Sequence, residues 1–204
     1  YLYLISDNKV FIVKAVPADE AVVVSKIEVN SSLTIQNLFI NGDKLVVFAT
    51  DWSYPIYNTH PVILEKNAVM VNSSVIGMPN PRWYSSPDTH LQVFDISDRK
   101  QPELEREIVT PGSFTGARMI GSHVYLITVQ NSHSIRIMAD DELIVPTIMV
   151  DDELQEISLS NIQYVQIPEQ RKTITNIVSV DLDDEDEKVE AKMFLLGNSQ
   201  TLYV

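Results

Sequence analysis

The sequence predicts an all-β fold assembled from repeated units of four short antiparallel strands. Three observations predict it. Apolar and β-branched residues fall in short runs bounded by Gly, Pro, Asn and Asp, while the helical period fails nearly everywhere. A stretch starting at an Asp-terminated strand recurs, as "VFDISDRKQPELEREIVTPGSFTGARMI" from Val93 and "SVDLDDEDEKVEAKMFLLGNSQTLYV" from Ser179. Finally, "NGDKLVVFAT" (Asn41 to Thr50) and "IGSHVYLITV" (Ile120 to Val129) each place a nearly continuous apolar run behind a Gly-containing turn. Such runs suit strands covered on both faces, as in a sheet stacked between two others. Tandem units of four antiparallel strands are blades of a β-propeller.

The strands follow in chain order. The chain opens at strand B of one unit, "YLYLIS", with "KVFIVKAV" and "VVVSKIEV" as C and D. The next unit has "TIQNLFI", "KLVVFAT", "LQVFDIS" and "ELEREIV" as A to D. The one after has "TGARMI", "HVYLITV", "TNIVSVDL" and "VEAKMFL", and "TLYV" starts another. Asp95 matches Asp181 and Gly112-Ser113 matches Gly197-Asn198; a looser upstream copy aligns Val10-Phe11 with Val93-Phe94 and Ile40 with Ile120. In "PELEREIV", Glu103, Glu105 and Glu107 are expected on one face, with Leu104 and Ile108 on the other, as an outer edge strand lined with charge. The one short helix the sequence suggests is "DDELQEISLS", Asp151 to Ser160.

This strand order amounts to about three blades, whereas closed propellers carry about four to eight. The chain therefore reads as one domain over residues 1–204, a fragment of a larger propeller. It lacks an initiator Met and a signal peptide, which places leader and anchor elsewhere. The strand order also raises closure in trans, with "TLYV" completing the first blade of a partner to give a homodimer by strand exchange.

Composition narrows the partners. A net charge of −13 on 204 residues disfavours a nucleic-acid backbone or an anionic membrane surface. No apolar run is long enough to span a bilayer. With no Cys there is no disulfide framework, thiolate metal site or Cys nucleophile, which fits an extracellular or cell-surface protein.

Two B-to-C connections exceed what a blade of about 40 residues needs, at about 51–90 and 130–160. Long loops on a rigid scaffold are where binding concentrates. Trp52, Tyr54, Tyr57, Trp83 and Tyr84 form a candidate aromatic platform for a sugar or peptide; the alternative is that these rings pack the insertion on its own blade.

Candidate chemistry is sparse. "DLDDEDEK" (Asp181 to Lys188) has the acids of a calcium loop, Asp181, Asp183, Glu185 and Glu187, but lacks its mid-loop Gly and its terminal bidentate Glu. It reads as a solvated C–D turn in which Asp181, like Asp95, bonds backbone amides. His60, His90, His123 and His133 have no metal-ligand spacing, although His60 and His90 bracket the insertion. "NSS" at Asn30 and Asn72 matches the N-glycosylation sequon. No hydrolase, P-loop or dinucleotide motif occurs, so no catalytic residue, metal site or cofactor is assigned.

The segments "YLYLISDNKVFIVKA", "NLFINGDKLVVFAT", "VFDISDRKQPELEREI", "GARMIGSHVYLIT" and "IQYVQIPEQRKTITNIVSVDLDD…FLLGNSQTLYV", in that order, resemble the secreted prokaryotic β-propeller domain of archaea and bacteria, distantly related to WD repeats. The resemblance covers nearly all of the chain outside the two insertions. It implies an extracytoplasmic location and carries no catalytic residues. The expectation is a non-catalytic extracytoplasmic scaffold for a protein or carbohydrate ligand; the alternatives are a secreted hydrolase of polysaccharide or peptide, and a purely structural cell-surface module.

Overall fold

The computed structural model describes residues 1–52, 87–131, 147–164, 173–184 and 188–196. Tyr54, Tyr57, His60, Asn72, Trp83, Tyr84, His133, Glu185, Glu187, Gly197-Asn198 and the "TLYV" strand lie outside them.

Three sheets follow one another along the chain. Blade 1 contains β1 (Leu2–Ser6), β2 (Lys9–Lys14) and β3 (Val22–Glu28), joined as a meander. Blade 2 is built on β4 (Leu33–Asn41), β5 (Lys44–Asp51), β6 (Asp88–Asp95) and β7 (Glu103–Pro111). Blade 3 is built on β8 (Ser113–Ile120), β9 (His123–Asn131), β13 (Thr173–Asp181) and β14 (Glu190–Leu196). These are the expected B-C-D, A-B-C-D and A-B-C-D strands, all antiparallel.

The repeat extends to single residues. The A–B turns put Gly42 and Gly121 at φ 57° and 62°, a conformation open to a residue without Cβ. Each A strand bulges at the same place, between Ile35 and Asn37 and between Phe114 and Gly116. Each C strand ends by donating an amide to the A–B turn, Ile96 N to Asp43 O (2.8 Å) and Leu182 N to Ser122 O (3.1 Å). The same hairpins correct the looser alignment. Asn41, not Ile40, sits where Ile120 does, because each pairs with the first residue of strand B. The bulge in the C–D ladder sets Ile12-Val13, not Val10-Phe11, at the place of Val93-Phe94, because the register shifts between Ile12 and Val13 in blade 1 and between Val93 and Phe94 in blade 2.

Alternation along β5 accounts for its continuous apolar run. Leu45 and Val47 meet Val10, Ile12 and Ile27 of blade 1, while Val46 and Phe48 meet Val124, Leu126, Ile174 and Val178 of blade 3. The strand is a middle layer. Phe48 is fully buried, 5.3 Å from the Phe39 ring and 5.6 Å from Phe114, so it joins the inner strands of two blades. Truncating such a ring to Ala costs about 3–5 kcal/mol.

Two sequence expectations fail. Asp151 to Ser160 is not helical. Asp151 and Asp152 have φ of 50° and 66°, the pair of a type I′ turn, and they join β10 (Thr147–Val150) to β11 (Glu153–Glu156); a 3₁₀ turn follows at Leu159–Asn161. Nor is β7 the outer edge, since β10 pairs with it through Met149–Val109 and Val150–Ile108, giving the order β11-β10-β7-β6-β5-β4. The alternation expected in β7 also breaks. A bulge opposite Val93 and Phe94 shifts the register, so Leu104 is 50% exposed while Ile108 is fully buried.

The β10–β11 hairpin therefore comes from the connection of blade 3 and binds blade 2. Ile148 and Ile157 enter the core shared by both blades, and Gln155 Nε2 donates to Val189 O of blade 3 (2.8 Å). The chain then returns through β12 (Ile162–Tyr164), parallel to β14. The hairpin is a strap across the outer rim.

Candidate functional site

The two ends of blade 2 differ. At the lower end the A–B and C–D turns close on themselves. Asp95 Oδ1 accepts from Ser97 N (2.6 Å) and Asp181 Oδ1 accepts from Asp183 N (3.1 Å). These amides hold both carboxyls below the usual range; for Asp181 the bond from Ser122 is the largest cause. The Asp pair is turn architecture, as the sequence implied. A small concavity there, about 180 Å³, is lined by Asp95, Ser97, Asp98, Gln101 and Glu103. His123 begins β9 opposite Asp181, its Nε2 3.7 Å from the carboxylate.

At the upper end the β5–β6 connection leaves and returns. Asp51, last in β5, lies directly across the ladder from Asp88, first in β6. Continuing down the same face come His90 and Gln92 of β6 and Glu107 of β7. Glu107 Oε1 lies 2.9 Å from His90 Nδ1 and accepts from Gln92 Nε2 at 2.8 Å. The His90 contact, then the Gln92 bond, hold the Glu107 carboxyl below its usual range against partial burial. Asp88 goes the other way. Burial raises its carboxyl to about 6, with Asp51 adding to the rise and His90 opposing it.

This end is held rigidly by the crossover from β7 to β8. Gly112 N donates to Pro87 O (2.7 Å), and Thr89 Oγ1 donates to Gly112 O (2.7 Å), so Asp88 is fixed on both sides. Thr128 Oγ1 and Asn176 Nδ2 of blade 3 both donate to Pro111 O, at 2.8 and 2.7 Å. Gly112 has φ 108°, and a Cβ there would lie 3.0 Å from Thr128 Oγ1 and from Val129 C and O. Only Gly suits this crossover. From the blade 1 side, Ser32 Oγ donates to Asp51 Oδ2 (3.2 Å). Asn8, in the turn before β2, donates through Nδ2 to Leu33 O and accepts from Ile35 N (2.8 Å), tying blade 1 to β4.

Three stacked sheets of antiparallel blade strands, repeated turn by turn, match one kind of family. A family model described as "Beta propeller domain" covers residues 1–204. The chain belongs to the β-propeller domain family. The comparisons find no match among curated proteins or solved structures.

Of the aromatic residues proposed for a binding platform, this propeller chain's described residues include Trp52 alone. It follows Asp51 directly and is 56% exposed. Tyr54, Tyr57, Trp83 and Tyr84 lie outside them, as does His60, which the sequence set against His90. Among the described residues, no three His, Asp or Glu side chains form a metal-binding group, and no helix is long and apolar enough to cross a membrane. Sequence reasoning missed the Asp51–Asp88 pair and the His90–Glu107 contact. The signal was present: continuing the β5–β6 ladder from Lys44–Asp95 residue by residue ends on Asp51–Asp88.

The arrangement offers an exposed indole at the residue after Asp51, which faces Asp88 across the ladder. The Asp88 carboxyl is partly buried and raised to about 6, and a half-buried His90–Glu107 contact lies below it. Stacking on the ring and hydrogen bonding to the carboxylates suit a hydroxyl- or amide-rich ligand.

Proposed function

We propose that the chain is a non-catalytic, extracytoplasmic β-propeller scaffold that binds a protein or carbohydrate ligand at the upper end of blade 2. One observation carries this reading. The exposed Trp52 and the Asp51–Asp88 pair stand where the long β5–β6 connection departs, on a base pinned by Gly112, whereas the lower end is closed by short turns that use their own carboxylates. A rigid base under a long connection is the usual setting of a binding loop. The extracytoplasmic location, and with it kinship to secreted prokaryotic propellers and WD repeats, draws on the sequence resemblance.

A hydrolase of polysaccharide or peptide is the second reading, favoured by Asp88. A carboxyl raised to about 6 beside a second carboxylate is how acid–base pairs are poised. Glycan and peptide arrays probed with the wild type, Trp52→Ala and Asp88→Asn separate the two. Selective binding that falls at least tenfold in Trp52→Ala, without turnover, supports the scaffold. Turnover of an array hit that Asp88→Asn abolishes while binding persists supports the hydrolase.

A further inference from the structure

The connection between β3 and β4 carries a motif that the binding reading leaves unused. Asn30-Ser31-Ser32 meets the acceptor pattern for N-linked glycosylation, an Asn followed two residues later by a hydroxyl amino acid, with no Pro between. The pattern is short, so the local structure decides. Asn30 and Ser31 are both exposed. Ser32 N donates to Asn30 Oδ1 (3.2 Å) and Leu33 N to Asn30 O (2.9 Å), folding the tripeptide into a tight turn. The carboxamide oxygen is thereby used inside the turn, while Nδ2 donates to no described residue. Directly behind the turn, Asn8 clamps Leu33 and Ile35, so the exposed tip stands on a fixed stem. Asn8, Asn161 and Asn176 commit their own carboxamides to backbone partners and lack the downstream hydroxyl.

We infer that Asn30 is an acceptor of an N-linked glycan, transferred from a polyprenyl phosphate- or pyrophosphate-linked oligosaccharide. In that step Nδ2 bonds to the anomeric carbon as the carbon–oxygen bond to the carrier phosphate breaks. The carrier leaves with its phosphate, and the transferase takes one Nδ2 proton. The inference rests on the extracytoplasmic reading, because such donors are used outside the cytoplasm. It also has a consequence for the candidate site. Ser32 Oγ holds Asp51, so the glycan stands at the rim of the Asp51–Asp88 pair.

Two experiments test it. The first is peptide mass spectrometry of the chain secreted from a yeast host, with and without glycosidase treatment that converts a glycosylated Asn to Asp. It expects occupancy at Asn30, lost in Asn30→Gln and Ser32→Ala and retained in Ser32→Thr. A bare Asn30 in that secreted, folded chain overturns the inference whatever the native location. The second is the same measurement on the full-length native protein after cell fractionation. A glycan at Asn30 supports the inference. A bare Asn30 on protein found outside the cytoplasm overturns it and leaves the location standing; protein confined to the cytoplasm overturns the location and the inference with it.

Discussion

Asp51 and Asp88 face each other across the β5–β6 ladder, and burial holds the Asp88 carboxyl protonated up to about pH 6. A raised acid pKa means that the folded state binds the Asp88 proton more tightly than the unfolded chain. The unfolded chain then holds fewer protons between about pH 4 and 6, so stability falls as pH rises through that window and stays lower above it. The difference is on the order of 2–3 kcal/mol at neutral pH. Asp88→Asn removes the charge and is expected to flatten the dependence of the melting midpoint on pH between 4 and 6 and to raise it at pH 7. Parallel pH profiles for wild type and variant would count against a raised Asp88 carboxyl.

Gly112 offers a sharper structural test. Gly112→Ala forces a Cβ into backbone atoms of Val129 at a φ of 108°. Strain of this kind costs about 2 kcal/mol, or roughly 4–8 °C in midpoint for a chain of this size. Thermal unfolding followed by circular dichroism reads it directly. A midpoint within a degree of wild type would contradict the placement of the crossover.

Asp95 and Asp181 hold equivalent turns, so their variants should behave alike. Both carboxyls lie below their ordinary range, so what they contribute is present at neutral pH and is lost as pH falls through the acid range below about 4. Asp95→Ala and Asp181→Ala are each expected to lower the midpoint at pH 7, with the gap to wild type closing at strongly acid pH. The Asn variants, which keep an acceptor oxygen for the turn amides, should lose less. A gap that does not change with pH would assign these residues another role.

The rim strap depends on Asp151. Its Oδ1 accepts from Glu107 N (2.8 Å), its Oδ2 lies 3.4 Å from Arg106 Nε, and its own N donates to Glu107 O (2.9 Å). Asp151→Ala loses the carboxylate contacts and strains the turn, a loss of about 1–2 kcal/mol. Asp151→Gly loses the same contacts without the strain and should fall between. Amide hydrogen exchange at Met149 and Val150 is expected to quicken in both variants. Unchanged protection there would show that Ile148 and Ile157 hold the strap without Asp151.

How far the fold could be read in advance follows from the range of the interactions. The order of strands was legible because "KLVVFAT", the Gly42 and Gly121 turns and the Asp95 and Asp181 turns are local signals. The strap was not, because β10 and β11 have four residues each in an acidic stretch. The pairing of β10 with β7 brings Met149 to Val109, far away in sequence. Acidic residues with intermittent apolar spacing resemble a weak helix until the two left-handed residues, Asp151 and Asp152, are known. The candidate site is intermediate. Trp52 stood out as an aromatic, whereas Asp51 and Asp88 read as loop acids because a long connection separates them and register alone unites them. His90 was read against His60, yet its Nδ1 turns to Glu107 on the neighbouring strand.

The upper end of blade 2, and not the short-turned lower end, is the face expected to meet the ligand. Amide chemical shifts of the isotope-labelled chain, followed while the strongest array hit is titrated in, test it most directly. Saturable shifts clustered at Asp51, Trp52, Asp88 and His90, absent in Trp52→Ala, are expected. Shifts centred on the turns at Asp95 and Asp181, with the upper end unchanged, would contradict it.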